Sequence, residues 1–305
     1  MPLAGSYRRL TSIAPPGVVP GVVRTVGPVT TAMGIRVAAD LVDRWRDWFA
    51  PQLQPFSTRR LEGAALAVGR PAEPTLEIRD TFHVYSDGGW TWLEEAEFSN
   101  LDLGTRRRLL RGRAATGRLG DLPVHARPFA ASQRTDSRIV WWPPLLRRVG
   151  YQPLLSYVEN GLPPSGHREV TAAVWRRARR LLPGSAGLAG RFPASSGPNC
   201  FGNVLAAAGA GDGSEWVQRE AFEDWLTACT EPVRGTSRDH LPGVVLVWRD
   251  HDGLVEHAAV TIGEGYALDK PSQGWFSPHL VWTVQQTIAA SRYRGVVLSR
   301  HLITG

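Results

Sequence analysis

What most constrains the fold is a run of strand signals between residues 243 and 302. Gly243-Val-Val-Leu-Val-Trp248 and Leu254-Val-Glu-His-Ala-Ala-Val-Thr-Ile262 are short, apolar and rich in β-branched residues. Asp250-His251-Asp252-Gly253 joins them with the residue types of a hairpin turn. Gly263-Glu264-Gly265 then turns the chain into Tyr266-Ala-Leu-Asp269, and Gly295 leads into a last strand ending near Leu302. Tight turns between successive strands imply antiparallel pairing. Alternation along the second strand sets His257, Ala259 and Thr261 on one side, whereas Val255, Ala258 and Val260 do not share a single face. A strand without one clean apolar side is one covered on both.

Upstream, helical spacing dominates. Val37, Leu41, Val42, Trp45, Trp48 and Phe49 form an apolar stripe that predicts a helix over 34–49, and a basic helix follows at 102–113. Thr75 to Tyr85 alternates as a half-buried strand, Ser86-Asp87-Gly88-Gly89 turns, and Trp90-Thr-Trp-Leu93 returns. The prolines around Trp141-Trp142 and Gly161-Leu162 mark 114–166 as irregular. A helix is expected over 169–182, then a Gly/Ser/Pro-rich connection to Pro198 and a short helix from Cys200 to Ala208, ended by Gly209. Ser214 is the expected N-cap of a further helix reaching Cys229, and Ser277-Pro278 the start of one over 279–291. Helices followed by antiparallel strands make an α+β protein. The expected division is an extended arm over 1–32, an α+β domain over 33–150 and a second domain over 151–305.

Composition narrows the function classes. Two cysteines, Cys200 and Cys229, form no disulfide framework and fit a reducing compartment. No apolar run approaches the ~20 residues of a membrane span, and prolines interrupt the N-terminal segment where a signal peptide needs an unbroken apolar core, so the expected location is the cytoplasm, with no membrane partner. The formal charge of +7 comes from arginine almost alone, Lys270 being the single lysine. Arg106-Arg107-Arg108, Arg111, Arg113 and the quartet Arg176, Arg177, Arg179, Arg180 read as solvated helix faces. The alternative is a non-catalytic module whose arginines hold an acidic protein or RNA. Trp90 and Trp92 read as core, and the Asp250–Asp252 turn matches no common metal-ligand spacing; neither a metal nor a cofactor is expected.

The chemistry concentrates at Gly197-Pro198-Asn199-Cys200-Phe201-Gly202. Asn199 is a strong N-cap, which makes Cys200 the first residue of a helix, where the positive end of the macrodipole favours a thiolate. The small residues Gly202, Ala206, Ala207 and Ala208 let such a helix approach a sheet. His257 on the downstream strand is a candidate general base, and Asp269, one strand later, can hold its second ring nitrogen.

These segments resemble the NlpC/P60 group of papain-like cysteine peptidases over roughly residues 165–305. Asn199-Cys200-Phe201-Gly202 is similar to that group's Asp-Cys-Ser-Gly helix start. Pro242-Gly243-Val-Val-Leu-Val resembles its Gly-Asp-Leu-Val strand, and His257-Ala-Ala-Val-Thr-Ile-Gly263-Glu-Gly265-Tyr its histidine strand and turn. Asp269 falls at the position of the third catalytic residue. The resemblance implies Cys200 as nucleophile, His257 as base and acid, Asp269 as orienting group, and the Cys200 backbone N–H as oxyanion donor. It implies a peptide or amide substrate, or acyl transfer if an amine replaces water. Asn199 stands where the group has Asp and Phe201 where it has Ser, while Phe192, lacking a hydroxyl, lies nearest its upstream Tyr; these three are the expected substrate-side residues.

Overall fold

The computed structural model describes residues 30–59, 73–85, 89–114, 140–292 and 294–304. Most of the expected N-terminal arm, the turn at 86–88 and much of the segment taken as irregular, 115–139, lie outside them. The described residues are α+β and fall into two compact units. One runs from 37 to 162; the other comprises residues 31–36 and everything from Pro163 onward.

In the first unit helix α1 (Ala39–Phe49) buries Val42, Trp45 and Phe49 at helical spacing. Residues 34–37, expected to belong to it, instead form the second half of a hairpin, β1 (Thr30–Ala32) with β2 (Ile35–Val37). Its turn needs left-handed backbone at Met33 and Gly34 (φ 48° and 73°), which a helix cannot accommodate. Strand β3 (Gln54–Ser57) follows. The expected strand at 75–85 is in fact helix α2 (Leu76–Phe82). Thr75 caps it by accepting from the Ile78 N–H, and His83 stops it in the left-handed region (φ 56°). These terminal signals outweigh the period-2 alternation. Strand β4 (Trp90–Leu93) therefore pairs with β3, with Pro55 opposite Trp92.

Helices α3 (Glu95–Asn100) and α4 (Leu103–Ala114) come next. Arg107, Arg108 and Arg111 of α4 are exposed as expected, but Arg113 is not a surface charge. Its guanidinium lies 4.1 Å from the Phe56 ring centre and 4.9 Å from that of Phe82, and donates to Gln54 Oε1 and the Pro55 carbonyl. Burial pushes its pKa down to about 9. Helices α5 (Pro143–Val149) and α6 (Gln152–Glu159) occupy a stretch read as irregular because of its prolines; proline in the first turn instead starts each of them.

The second unit is built on a six-stranded antiparallel sheet in the order β5-β10-β6-β7-β8-β9. Its strands are β5 (Thr230–Val233), β6 (Pro242–Arg249), β7 (Val255–Gly263), β8 (Tyr266–Asp269), β9 (Leu280–Thr283) and β10 (Val297–Ile303). One face packs against helices α7 (Ala172–Ala178), α9 (Cys200–Ala207) and α10 (Arg219–Cys229), through Val174, Val204, Phe222, Val245, Val260 and Leu268 among others; the short helix α8 (Ser185–Leu188) lies beside α9. The other face gathers Val244, Leu246, Trp248, Ala259 and Ala267 under helix α11 (Val284–Ala290). Both faces of β7 are covered, as its sequence required.

Three local expectations are corrected here. Ser214 does not cap α10; its Oγ donates to Asp212 Oδ1 at 2.6 Å, and the helix starts at Arg219 behind an extended Gln218. The helix expected over 279–291 is a strand followed by a helix. Thr283 and Gln286 form the capping box that starts α11, so the four residues before it are free to pair with β8. Gly202 lies not against the sheet but against the chain at 215–217, where an added Cβ would stand 2.9 Å from the Glu215 carbonyl oxygen.

Gly184 sets how closely α9 is held. Its N–H donates to the Ala207 carbonyl at 3.1 Å, and a Cβ there would fall 2.1 Å from the Ala206 carbonyl oxygen, whereas one at nearby Gly187 would touch nothing. Gly184→Ala should therefore cost about 1–3 kcal/mol, as overpacking does. Gly187→Ala should leave the urea denaturation midpoint nearly unchanged. Equal midpoints for the two variants would contradict this packing.

Candidate active site

Asn199 fixes the start of α9 twice over. Its Oδ1 accepts the Gly202 N–H at 2.9 Å, closing the helix cap, and the Val217 N–H at 3.4 Å. Its Nδ2 donates to the Val217 carbonyl at 2.8 Å. The side chain thus acts as a piece of backbone pairing with the 215–217 segment. Both its Oδ1 and Nδ2 are engaged in holding the start of α9 against that segment. The first intrahelical bond runs from the Asn203 N–H to the Asn199 carbonyl. Among the described residues, the N–H groups of Cys200 and Phe201 have no partner.

Phe201 is buried and stacks on Phe222 with ring centres 4.7 Å apart. Its contribution is to anchor the first turn of α9 in the core. Phe192 is half-buried and lines a cavity beside α9.

Helix α9 packs across β7, which carries His257. The β6–β7 register breaks between Trp248 and Arg249, where the first residues of β7 come opposite. Such irregularities twist a strand locally and re-aim its side chains. His257, paired with Trp248 across the ladder and lying 5.2 Å from that ring, is only 4% exposed. Val260 of β7 stands opposite Leu268 of β8, which sets Asp269 one step further along and diagonal to His257. Diagonal neighbours on a sheet are within reach of long side chains. Asp269 Oδ1 lies 3.0 Å from His257 Nε2, and Asp269 has no solvent exposure at all.

Nε2 is the ring nitrogen engaged by the carboxylate, and Nδ1 is not held by it. Burial works against charging the ring, but the Asp269 carboxylate and the Cys200 sulfur oppose it, each through charge and through a hydrogen bond. Together they push the His257 pKa up to about 10. The sequence-predicted Cys200, His257 and Asp269 therefore stand together as thiol, imidazole and carboxylate.

Reading the sequence alone passed over three further residues. Asn203, one turn along α9 from Cys200, has no exposure and accepts from His279 Nδ1 at 2.8 Å. His279 is buried just before β9, beside the strand that ends in Asp269. Lys270, wholly buried, donates to the Ser272 and Ser277 carbonyls at 2.7 and 2.8 Å, folding the loop that follows Asp269 back on itself. The available signal was that the chain's single lysine directly follows Asp269.

At the β6–β7 turn, Asp250, His251 and Asp252 bring ligand-type atoms within 4.8 Å of one another. Asp250 Oδ1, however, is occupied by the Asp252 and Leu254 N–H groups, the work of a turn residue. No helix among the described residues is long and apolar enough to cross a membrane. No known family model, curated protein or solved structure matches this chain.

The state of His257 gives a testable pH dependence. A histidine held protonated in the fold stabilises it fully below the unfolded value of about 6.5. That contribution is lost as pH rises through about 10, the folded value. In ring-nitrogen NMR the wild-type His257 should still carry both protons at about pH 8, whereas in Asp269→Asn, stripped of the carboxylate charge, it should titrate at lower pH. An unchanged titration in Asp269→Asn would remove the carboxylate from the account.

Proposed function

We propose that the C-terminal unit is a cysteine-dependent amide or peptide hydrolase of the papain-like, NlpC/P60 type, working through a thioester acyl-enzyme. The observation that carries the proposal is the line Cys200–His257–Asp269, set at a capped helix start beside unpartnered backbone N–H groups. Helices preceding an antiparallel sheet, with nucleophile, base and orienting acid in that chain order, support the same reading.

The steps follow from the arrangement. The Cys200 thiolate attacks the carbonyl carbon, forming a C–S bond and moving the carbonyl electron pair onto oxygen. The Cys200 N–H at the helix start stabilises that oxyanion, with the Phe201 N–H beside it. The imidazolium gives its Nδ1 proton to the leaving nitrogen as the C–N bond breaks. Thiolate charge is one of the causes that keep the His257 pKa high, so consuming it in the thioester leaves the ring a stronger acid when the amine must leave. Water then enters, and the neutral ring takes its proton. Hydroxide adds to the thioester, the C–S bond breaks, and a carboxylic acid departs. Asp269 holds the ring orientation throughout and stabilises its charged form.

Iodoacetamide provides the test, with Cys229 as an internal reference in the same molecule. At about pH 6, where an ordinary thiol is almost wholly protonated, Cys200 should be alkylated at least about tenfold faster than Cys229, and His257→Ala should abolish the difference. Cys200→Ala should lower any amidase activity at least about a thousandfold while leaving the circular dichroism spectrum unchanged. Slow, equal alkylation of both cysteines in wild type and His257→Ala would overturn the proposal.

A further inference from the structure

A cavity of about 510 Å³ opens beside α9, walled by Leu188, Phe192, Ala206 and the loops at 193–198 and 211–214. That volume lies in the range of small-molecule sites. Pro198 lines it, two residues before Cys200, but neither Cys200 nor His257 does. Two polar groups define its chemistry. Arg191 is exposed at the rim, and among the described residues its guanidinium has no ion-pair or hydrogen-bond partner. His279, 5% exposed, lines the same cavity.

The state of His279 follows from its one partner. Nδ1 lies 2.8 Å from Asn203 Oδ1, the acceptor end of an amide whose Nδ2 is buried with no partner among the described residues; in this amide orientation Nδ1 carries the proton and donates. Nε2 is then the bare nitrogen. Among the described residues it has no hydrogen-bond partner, it is not sealed from solvent, and His279 lines the cavity. Burial, reinforced by the positive charges of Lys270 and Arg191, pushes the ring pKa down to about 3, so the ring is neutral at physiological pH. The cavity thus offers a cation and, near it, a fixed acceptor that requires an N–H or O–H donor. Backbone bonds between Arg191 and His279 hold the two segments together: the His279 N–H donates to the Arg191 carbonyl at 2.9 Å, and the Gly190 N–H to the His279 carbonyl at 2.8 Å. Asp212 also lines the cavity, and its Oδ1 already accepts from Ser214 N and Oγ at 2.8 and 2.6 Å.

We infer that this cavity binds the carboxyl-terminal residue of a peptide or an N-acylated amino acid, with the carboxylate on Arg191 and the adjacent amide N–H donated to His279 Nε2. A guanidinium binds a carboxylate in bidentate fashion, and the neutral imidazole discriminates for the donor next to it. Phe192 and Leu188 supply an apolar wall for the side chain or acyl group. Asp212 opposes ligands carrying a second acidic group. The site is separate from the thiol chemistry and does not depend on it.

The test uses full-length protein carrying Cys200→Ala, so that binding is read without turnover and survives a failure of the hydrolase reading. The probe is N-acetyl-alanyl-alanine, followed by NMR with the ring nitrogens of His279 observed directly. Saturable binding is expected, with the Nε2 resonance moving toward its hydrogen-bonded position. The methyl ester of the same probe, which lacks the carboxylate, should bind at least about tenfold more weakly. Arg191→Met, a change at an exposed position, should weaken the acid by a similar factor and leave the ester unaffected. A probe N-methylated at the final amide should leave the Nε2 resonance in place. Absence of saturable binding, equal affinity for acid and ester, or an unchanged affinity in Arg191→Met would each overturn the inference.

Discussion

A carboxylate with no solvent exposure has to be compensated, and in this chain Asp269 is compensated by His257. Desolvating an isolated carboxylate is costly enough that such groups survive only paired or hydrogen-bonded. Oδ1 has the imidazole 3.0 Å away, while Oδ2 is buried without a partner. The ring, equally buried, carries charge only because the carboxylate and the sulfur outweigh desolvation. The buried carboxylate and the buried ring are each tolerable in the interior because of the other, and so β7 and β8, which bear them, are bound to one geometry.

The surrounding architecture serves that requirement. The irregular register near the start of β7 aims His257 toward its partners, and β8 ends on Asp269. Asn199 seals the start of α9 and ties it to the 215–217 segment, while Phe201 drives the same turn into the core against Phe222. Gly184 and Gly202 allow neighbouring backbone to approach α9 from two directions. The Cys200 side chain is thus held by helix, sheet and loop together.

The C-terminal sheet was legible in the sequence because its signals are local. The Asp-His-Asp-Gly and Gly-Glu-Gly turns fix antiparallel neighbours, and alternation along 254–262 already carried the information that both faces are covered. Cys200, His257 and Asp269 stand out in the sequence because a capped helix start and two adjacent strands place them in order. The failures came where terminal signals compete with periodicity. Thr75 and His83 convert an alternating segment into a helix, and Thr283 with Gln286 moves a helix start five residues downstream of the expected one. His279 and Asn203 could not have been found that way. They lie 76 residues apart, and neither has a distinctive neighbour. Arg113 was misread for a related reason: a cation sandwiched between Phe56 and Phe82 looks like any other member of an arginine-rich helix until its packing is known.

The central claim is that Cys200 is an acyl-accepting nucleophile whose reactivity depends on His257. Intact-protein and peptide mass spectrometry after brief exposure to p-nitrophenyl acetate tests it most directly, because the reagent acylates an activated thiol and releases a coloured leaving group in the same step. The expected result is a burst of p-nitrophenolate matched by one acetyl group on Cys200, none on Cys229, and loss of both burst and adduct in His257→Ala. Acetylation spread equally over the two cysteines, or undiminished in His257→Ala, would contradict it.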